Sequence, residues 1–142
     1  MPATSVQFTV AAHIMAALGF FQGKEISSAT LAESVNADPR FVRKSLSKLS
    51  KAGLIVTARG RNGASTLTRS PGKVTVLEIY RASAAPPTFP IHNYPGEKRC
   101  PISSNIKGCM SSVLTRAQNS FENALDRITL ADVVGEIRRV NQ

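Results

Sequence analysis

Asp38-Pro39-Arg40-Phe41-Val42-Arg43-Lys44-Ser45-Leu46-Ser47-Lys48-Leu49-Ser50-Lys51-Ala52-Gly53 is the stretch that decides how this chain is read. Asp38 is suited to cap a helix, because its carboxylate can accept a backbone N–H of the first turn. Pro39 suits the first helical position, where no N–H is needed. Gly53 closes the helix as the residue after the cap, where a left-handed conformation is wanted. At 100° per residue, Val42, Leu46, Leu49 and Ala52 share one arc, with Phe41 beside them. Arg40, Arg43, Lys44, Ser47, Lys48 and Lys51 fill the opposite arc.

Outward toward the N-terminus, Ser5 to Phe21 reads as a helix that is apolar on more than one side. One stripe is Val6, Val10, Ile14, Ala17 and Phe21; another is Phe8, Met15 and Gly19. Such a helix is sandwiched between two layers, and in a small domain the second layer could be a partner subunit. His13, with no second ligand at helical spacing, reads as a hydrogen-bonded core histidine. Gly23-Lys24 makes a turn and Ile26-Ser27 a short strand. Ser28 or Thr30 then caps a short helix through Val35, with Leu31, Ala32 and Val35 facing inward. After the turn at Asn36-Ala37 comes the basic helix, which completes a helix-turn-helix plan.

Toward the C-terminus, Leu54–Thr57 and Ser65–Thr68 read as two strands joined through Arg59-Gly60-Arg61-Asn62-Gly63, whose Asn-Gly is a hairpin turn. A hairpin directly after such a helix is a wing. Arg59 and Arg61 at its tip suit a narrow minor groove or phosphates. Thr75 with Glu78 forms a capping box for a helix through Tyr80. Residues 83–99 contain Pro86, Pro87, Pro90 and Pro95 and read as an extended loop. A long helix follows from about Pro101 to Arg127. In it Ile106, Met110, Val113, Ala117, Phe121 and Ala124, continued by Ile128, recur at steps of three and four. That is a heptad-like seam, and such a seam wants a second helix. Thr129 and Asp132 cap a last amphipathic helix. The expected fold is mainly α with an α+β wing: a winged helix-turn-helix domain over 1–82, a Pro-rich loop over 83–100, and a dimerisation helix with a C-terminal helix over 101–142.

Charge points the same way. Between Arg40 and Lys73 lie nine basic side chains (Arg40, Arg43, Lys44, Lys48, Lys51, Arg59, Arg61, Arg69, Lys73) and no Asp or Glu. A run so one-sided repels itself unless a polyanion meets it, which is the footprint of a nucleic-acid binder. The net charge is +7 over residues 1–81 and +2 over 82–142, so the first half is the nucleic-acid half. No apolar run approaches the roughly 18 residues of a membrane span, so no membrane partner is expected. Two cysteines without a secretory signal point to free thiols in a reducing cytoplasm. No phosphate loop, metal-ligand pair or nucleophile–base set is visible, so an enzyme is not expected.

Taken in order, these segments resemble the Rrf2-type winged-helix transcription regulators over essentially the whole chain. The segments that carry the likeness are Val6–Phe21, Ser28–Val35, Arg40–Leu49 running into Lys51-Ala52-Gly53-Leu54-Ile55, Arg59-Gly60 with Gly63, Val76–Ala82, and Ile128–Val133. The resemblance implies a cytoplasmic homodimer that binds a near-palindromic operator on double-stranded DNA, usually as a repressor. It implies base reading by Arg40, Arg43 and Lys44 in the major groove, with Arg59 in the minor groove. The full DNA-facing set is then Ser28, Arg40, Arg43, Lys44, Ser47, Lys48, Lys51, Arg59 and Arg61. The dimer interface is the seam Ile106, Met110, Val113, Ala117, Phe121 and Ala124.

The chain departs from the family at two places. Relatives often carry a further Gly and a Tyr after Gly63, where this chain has Ala64-Ser65-Thr66. Cluster-binding relatives use three cysteines ahead of the long helix, whereas this chain has only Cys100 and Cys109. Two thiolates alone cannot complete a [2Fe–2S] site, and His92 would have to assist. The segment from Cys100-Pro101 is more similar to a cluster-free branch, so no cofactor is expected and an iron–sulfur regulator stays an alternative. With Pro101 as first helical residue and Lys98 and Arg99 just before it, Cys100 is expected to favour its thiolate and to sense redox or electrophile stress. Ser103 or Ser104 could instead be the true cap. Cys109 reads as filler at the edge of the seam. The remaining alternative is a winged-helix interaction module whose DNA binding is governed by a partner protein; a small-molecule effector is also open.

Overall fold

A computed structural model describes residues 5–58 and 63–142. The element order is α1 (Gln7–Phe20), α2 (Ser28–Val35), α3 (Pro39–Lys51), β1 (Ile55–Thr57), β2 (Ser65–Leu67), a 3-10 turn (Pro71–Lys73), α4 (Val76–Ala82), α5 (Pro101–Asp126) and α6 (Leu130–Val140). The chain divides into two compact units. One holds the residues up to Ala85 together with Leu125–Gln142; the other is Pro86–Ala124. No helix among the described residues is long and apolar enough to cross a membrane.

The first unit is built around α1. Ala11, Ile14 and Met15 are fully buried, and Leu18 nearly so. They pack with Leu31 of α2, Val42 and Leu49 of α3, Leu54, Val74, Ile79 of α4, and Leu130 and Val134 of α6. Burial of each large aliphatic here contributes about 1.5–3 kcal/mol. The second layer expected for α1 is thus supplied by this chain's own α4 and α6. The ends of its first stripe, Val6 and Phe21, are exposed. His13 is not in the core. It lies on the exposed side of α1, where Nε2 shares a 2.9 Å hydrogen bond with Ser34 Oγ of α2.

The short elements follow their caps. Ser27, one residue earlier than expected, caps α2 by accepting the Thr30 N–H at 3.1 Å. Asn36 takes the left-handed turn (φ 60°) that separates α2 from α3. β1 and β2 pair antiparallel with Ile55 opposite Leu67 and Thr57 opposite Ser65, and Ile26 bridges to Ser65. Thr75 and Thr129 cap α4 and α6, each in a reciprocal capping box. The last helix therefore packs with the first unit, although sequence order groups it with the long helix: Leu130 and Val134 have their apolar partners there.

The second unit is the Pro-rich segment and most of α5. None of the 26 residues of α5 is buried. Thr88 donates to Gln118 Oε1 at 3.1 Å, and Lys107 Nζ donates to the Tyr94 carbonyl at 2.6 Å, so the segment lies along the helix.

Candidate nucleic-acid interface

The basic helix α3 is formed as its cap residues require. Asp38 accepts the Arg40 N–H at 2.8 Å, Pro39 opens the helix, and Gly53 follows the cap at φ 78°. That φ is strained for most residues with a Cβ, so glycine is favoured there. Val42, Ser45, Leu46 and Leu49 are buried, which anchors one side of the helix to the core. Arg40, Arg43, Lys44, Ser47 and Lys51 are exposed along the other side. Ala52, expected on the buried arc, is exposed because the helix has already ended there.

Not every base in the run faces outward. Lys48 is half-buried, and its Nζ donates to the Ser83 carbonyl at 3.4 Å. Arg69 grips Glu78 with two nitrogens, at 2.6 and 3.3 Å, and donates also to the Lys73 carbonyl at 2.9 Å. The hydrogen bond from Arg69 holds the Glu78 carboxyl below the usual glutamate range, against a smaller opposing effect of burial. Arg69 therefore belongs to the scaffold, not to the cationic face. Its partner nine residues on was the available signal, since Glu78 also sits in a capping box.

Beside α3, Ser28 is the half-buried first residue of α2. A Cβ built on Gly63 would lie 4.0 Å from its Oγ, so the returning strand of the hairpin passes the start of α2. The strands keep the wing closed at its base through the Ala58 N–H and the Ala64 carbonyl, 2.8 Å apart. Arg59 and Arg61 lie outside the described residues.

In the second unit, Pro101 is the first helical residue and Cys100 takes the capping role. Its Sγ accepts the Ser103 N–H at 3.4 Å and its carbonyl accepts the Ser104 N–H at 3.0 Å. Ser103 and Ser104 are inside the helix. Cys100 is half-buried, and Cys109 is exposed. Nine residues of helical rise put them about 13 Å apart along the axis, too far for one cluster. Of the expected seam, Ile106 and Phe121 are half-buried, while Met110, Val113, Ala117 and Ala124 are exposed.

A family model described as "Rrf2: Iron-dependent Transcriptional regulator" matches residues 4–136. YwnA of Bacillus subtilis (strain 168), which carries the name of an HTH-type transcriptional regulator, is 32% identical over 132 residues, covering 92% of this chain and 96% of its own. The HTH-type transcriptional regulator NsrR of Bacillus licheniformis is 30% identical over 104 residues, 73% of this chain and 71% of its own. In fold, the chain superposes on T. potens IscR with a TM-score of 0.73 at 23% identity, covering 99% of this chain and 91% of that one. The donors of this chain do not fit the iron in the family's description. Among the described residues no group of three or more His, Cys, Asp or Glu side chains could hold a metal ion. The winged helix with its basic second helix, the capped C-terminal elements and these matches agree: the chain belongs to the Rrf2 family of DNA-binding transcriptional regulators.

Proposed function

We propose that this regulator works in the cytoplasm as a homodimer whose two α3 helices read a near-palindromic operator, acting as a repressor. The observation that carries the DNA reading is the row Arg40, Arg43, Lys44, Ser47 and Lys51, exposed on one side of a helix whose other side is locked into the core. Pairing is supported by α5, a long helix with an apolar period and no buried residue of its own. Two copies joined along that seam would present their α3 helices to successive major grooves, about 34 Å apart. Salt titration on duplex DNA tests the reading. An operator binder loses affinity steeply with salt and keeps a preference of about a thousandfold or more for its site. A chain that ignores duplex DNA at low salt, or discriminates no sequence, does not work this way.

Cys100 is the proposed sensor of this dimer. Its sulfur caps α5, so the helix start depends on it. A peroxide would be attacked by the thiolate, forming an S–O bond and expelling hydroxide; the sulfenic acid no longer caps as before. The alkylation rate of Cys100 at neutral pH, against that of exposed Cys109, is the test. Equal rates remove the sensor. Control by a partner protein is a second reading, favoured by Phe89 and Tyr94, which are 66% and 75% exposed in the Pro-rich segment. Under that reading operator binding by the purified protein is insensitive to thiol reagents.

A further inference from the structure

Four bases of α3 project from its exposed side, but Lys48, one turn from both Lys44 and Lys51, is half-buried. Its Nζ reaches the carbonyl of Ser83, the residue that caps the C-terminal end of α4. The carbonyls at a helix C-terminus carry the negative end of the helix dipole, so a lysine ammonium is favoured there. Ser83 is itself held hard. It is 2% exposed, its N–H bonds to the Ile79 carbonyl at 3.0 Å, and its Oγ donates to the Tyr80 carbonyl at 2.6 Å.

The place of α4 in the chain gives that contact a meaning. At its start, the Val76 N–H donates to the Ile128 carbonyl and the Leu130 N–H to the Val74 carbonyl, both at 2.8 Å. At its end, the chain turns at Ala84, which adopts φ 55°, and leaves the first unit after Ala85. It re-enters at Leu125. The chain thus leaves the first unit just after the C-terminal end of α4, the end that Lys48 touches.

We propose that Lys48 is a positioning residue and not a DNA contact: it fastens the recognition helix to the end of α4 and so sets the pitch at which α3 meets DNA. This rests on the reading of α3 as the DNA-reading helix. A phosphate-contacting lysine and a positioning lysine differ in what their loss removes. The first releases about one counterion, which lowers the slope of log affinity against log salt by roughly 0.9 on any duplex. The second leaves that slope intact and misaligns the base-reading side chains, which removes sequence preference.

The experiment compares wild type, Lys48→Met and Lys48→Arg on two duplexes: one selected by the wild-type protein from a random-sequence pool, and one random sequence. For Lys48→Met the salt slope on random duplex is expected to match wild type, while the preference for the selected duplex falls by about tenfold or more. Lys48→Arg, which keeps a charged donor within reach of the carbonyl, is expected to restore most of that preference. If Lys48→Met does not fold, Lys48→Leu is read in the same way. A slope lower by about 0.9 with preference retained overturns the proposal, and so does a variant indistinguishable from wild type on both counts. A wild-type protein that selects no duplex refutes the reading of α3 itself, a separate outcome.

Discussion

Thr75 and Thr129 face each other across a single antiparallel bridge, and each is the N-cap of a helix closed by its own capping box. The Glu78 and Asp132 carboxylates accept the two cap N–H groups in return, at 3.1 and 2.9 Å. Two helix starts thus share one joint, at which α6 is brought onto α1 and α4 is fixed. Removing the Thr75 hydroxyl takes the acceptor from the Glu78 N–H, and removing that of Thr129 leaves the Asp132 N–H with only the Thr129 carbonyl at 3.1 Å. Thr129→Ala is expected to cost about 1 kcal/mol, and Thr75→Ala a similar amount. Because the two caps share a bridge, the double variant should depart from the sum by about 0.5 kcal/mol or more. Urea unfolding of the four proteins measures this; strict additivity would show two independent caps.

The Arg69–Glu78 pair predicts an acid dependence of stability. Arg69 lowers the Glu78 carboxyl below its usual range in the folded chain, so the unfolded chain binds the proton more readily. Stability from this group is then fully present above the unfolded value, about 4.3, and is lost as pH falls toward the lower folded value. Both side chains are 38% exposed, so the contribution is that of a surface pair, a few tenths to about 1 kcal/mol. Glu78→Gln keeps the capping geometry and removes the titration. It should be less stable than wild type at pH 7, and the gap should narrow as pH falls below the ordinary glutamate range. A gap that persists unchanged at pH 3 would put the effect in the cap and not in the charge.

Arg43 and Lys51 are both exposed on α3 but are expected to behave differently on DNA. Arg43→Ala, if Arg43 reads a base edge, costs about 1–3 kcal/mol on the operator and relaxes preference at one position. Lys51→Ala weakens binding by a similar factor on any duplex and lowers the salt slope by about one. Equal losses on operator and random DNA for both variants would argue against base reading by Arg43.

What could be read in the residues themselves was whatever is settled within a few positions. Asp38, Thr75 and Thr129 act on N–H groups two or three residues away, so the starts of α3, α4 and α6 were legible. The apolar period of α1 announced a helix covered on both sides. The nature of the cover was not legible, since Val134 lies far along the chain. The cationic side of α3 was legible as a set but not member by member. Lys48 finds its acceptor 35 residues away, and that acceptor is a backbone carbonyl, which leaves no trace in the identity of the residue carrying it. His13 looked like a core residue because its neighbours are apolar, yet one step of the helix turns it toward Ser34 at the surface.

The seam of α5 is a proposal about assembly, and Phe121 is where to test it. Half-buried in the single chain, it lies on the stripe with Val113, Ala117 and Ala124. Burying a carboxylate without a partner costs several kcal/mol, so Phe121→Glu should yield monomers by light scattering. Those monomers should bind a single half-site weakly while retaining the fold of the first unit. A dimer of unchanged affinity would place the interface on another side of α5.

Gly96 approaches the first turn of α5 so closely that a side chain would press on Ser103. A Cβ there would lie 2.9 Å from Ser103 Oγ and 3.0 Å from the Ser103 carbonyl oxygen. The backbone oxygen cannot rotate aside, so Gly96→Ala must shift the loop by a few tenths of an ångström and turn the Ser103 hydroxyl away. The first bond lost is the one from the Glu97 N–H to Ser103 Oγ, 2.7 Å long, worth about 1 kcal/mol. Glu97 also accepts the Cys100 N–H on its carbonyl and the Arg99 N–H on its carboxylate, so the turn that leads into the capping cysteine loosens with it. The expected result is faster proteolysis between Pro86 and Arg99 and faster alkylation of half-buried Cys100, with helix content by circular dichroism unchanged. Cleavage and alkylation at wild-type rates would mean that the loop does not rest on α5 in solution, and that Cys100 is not held by it.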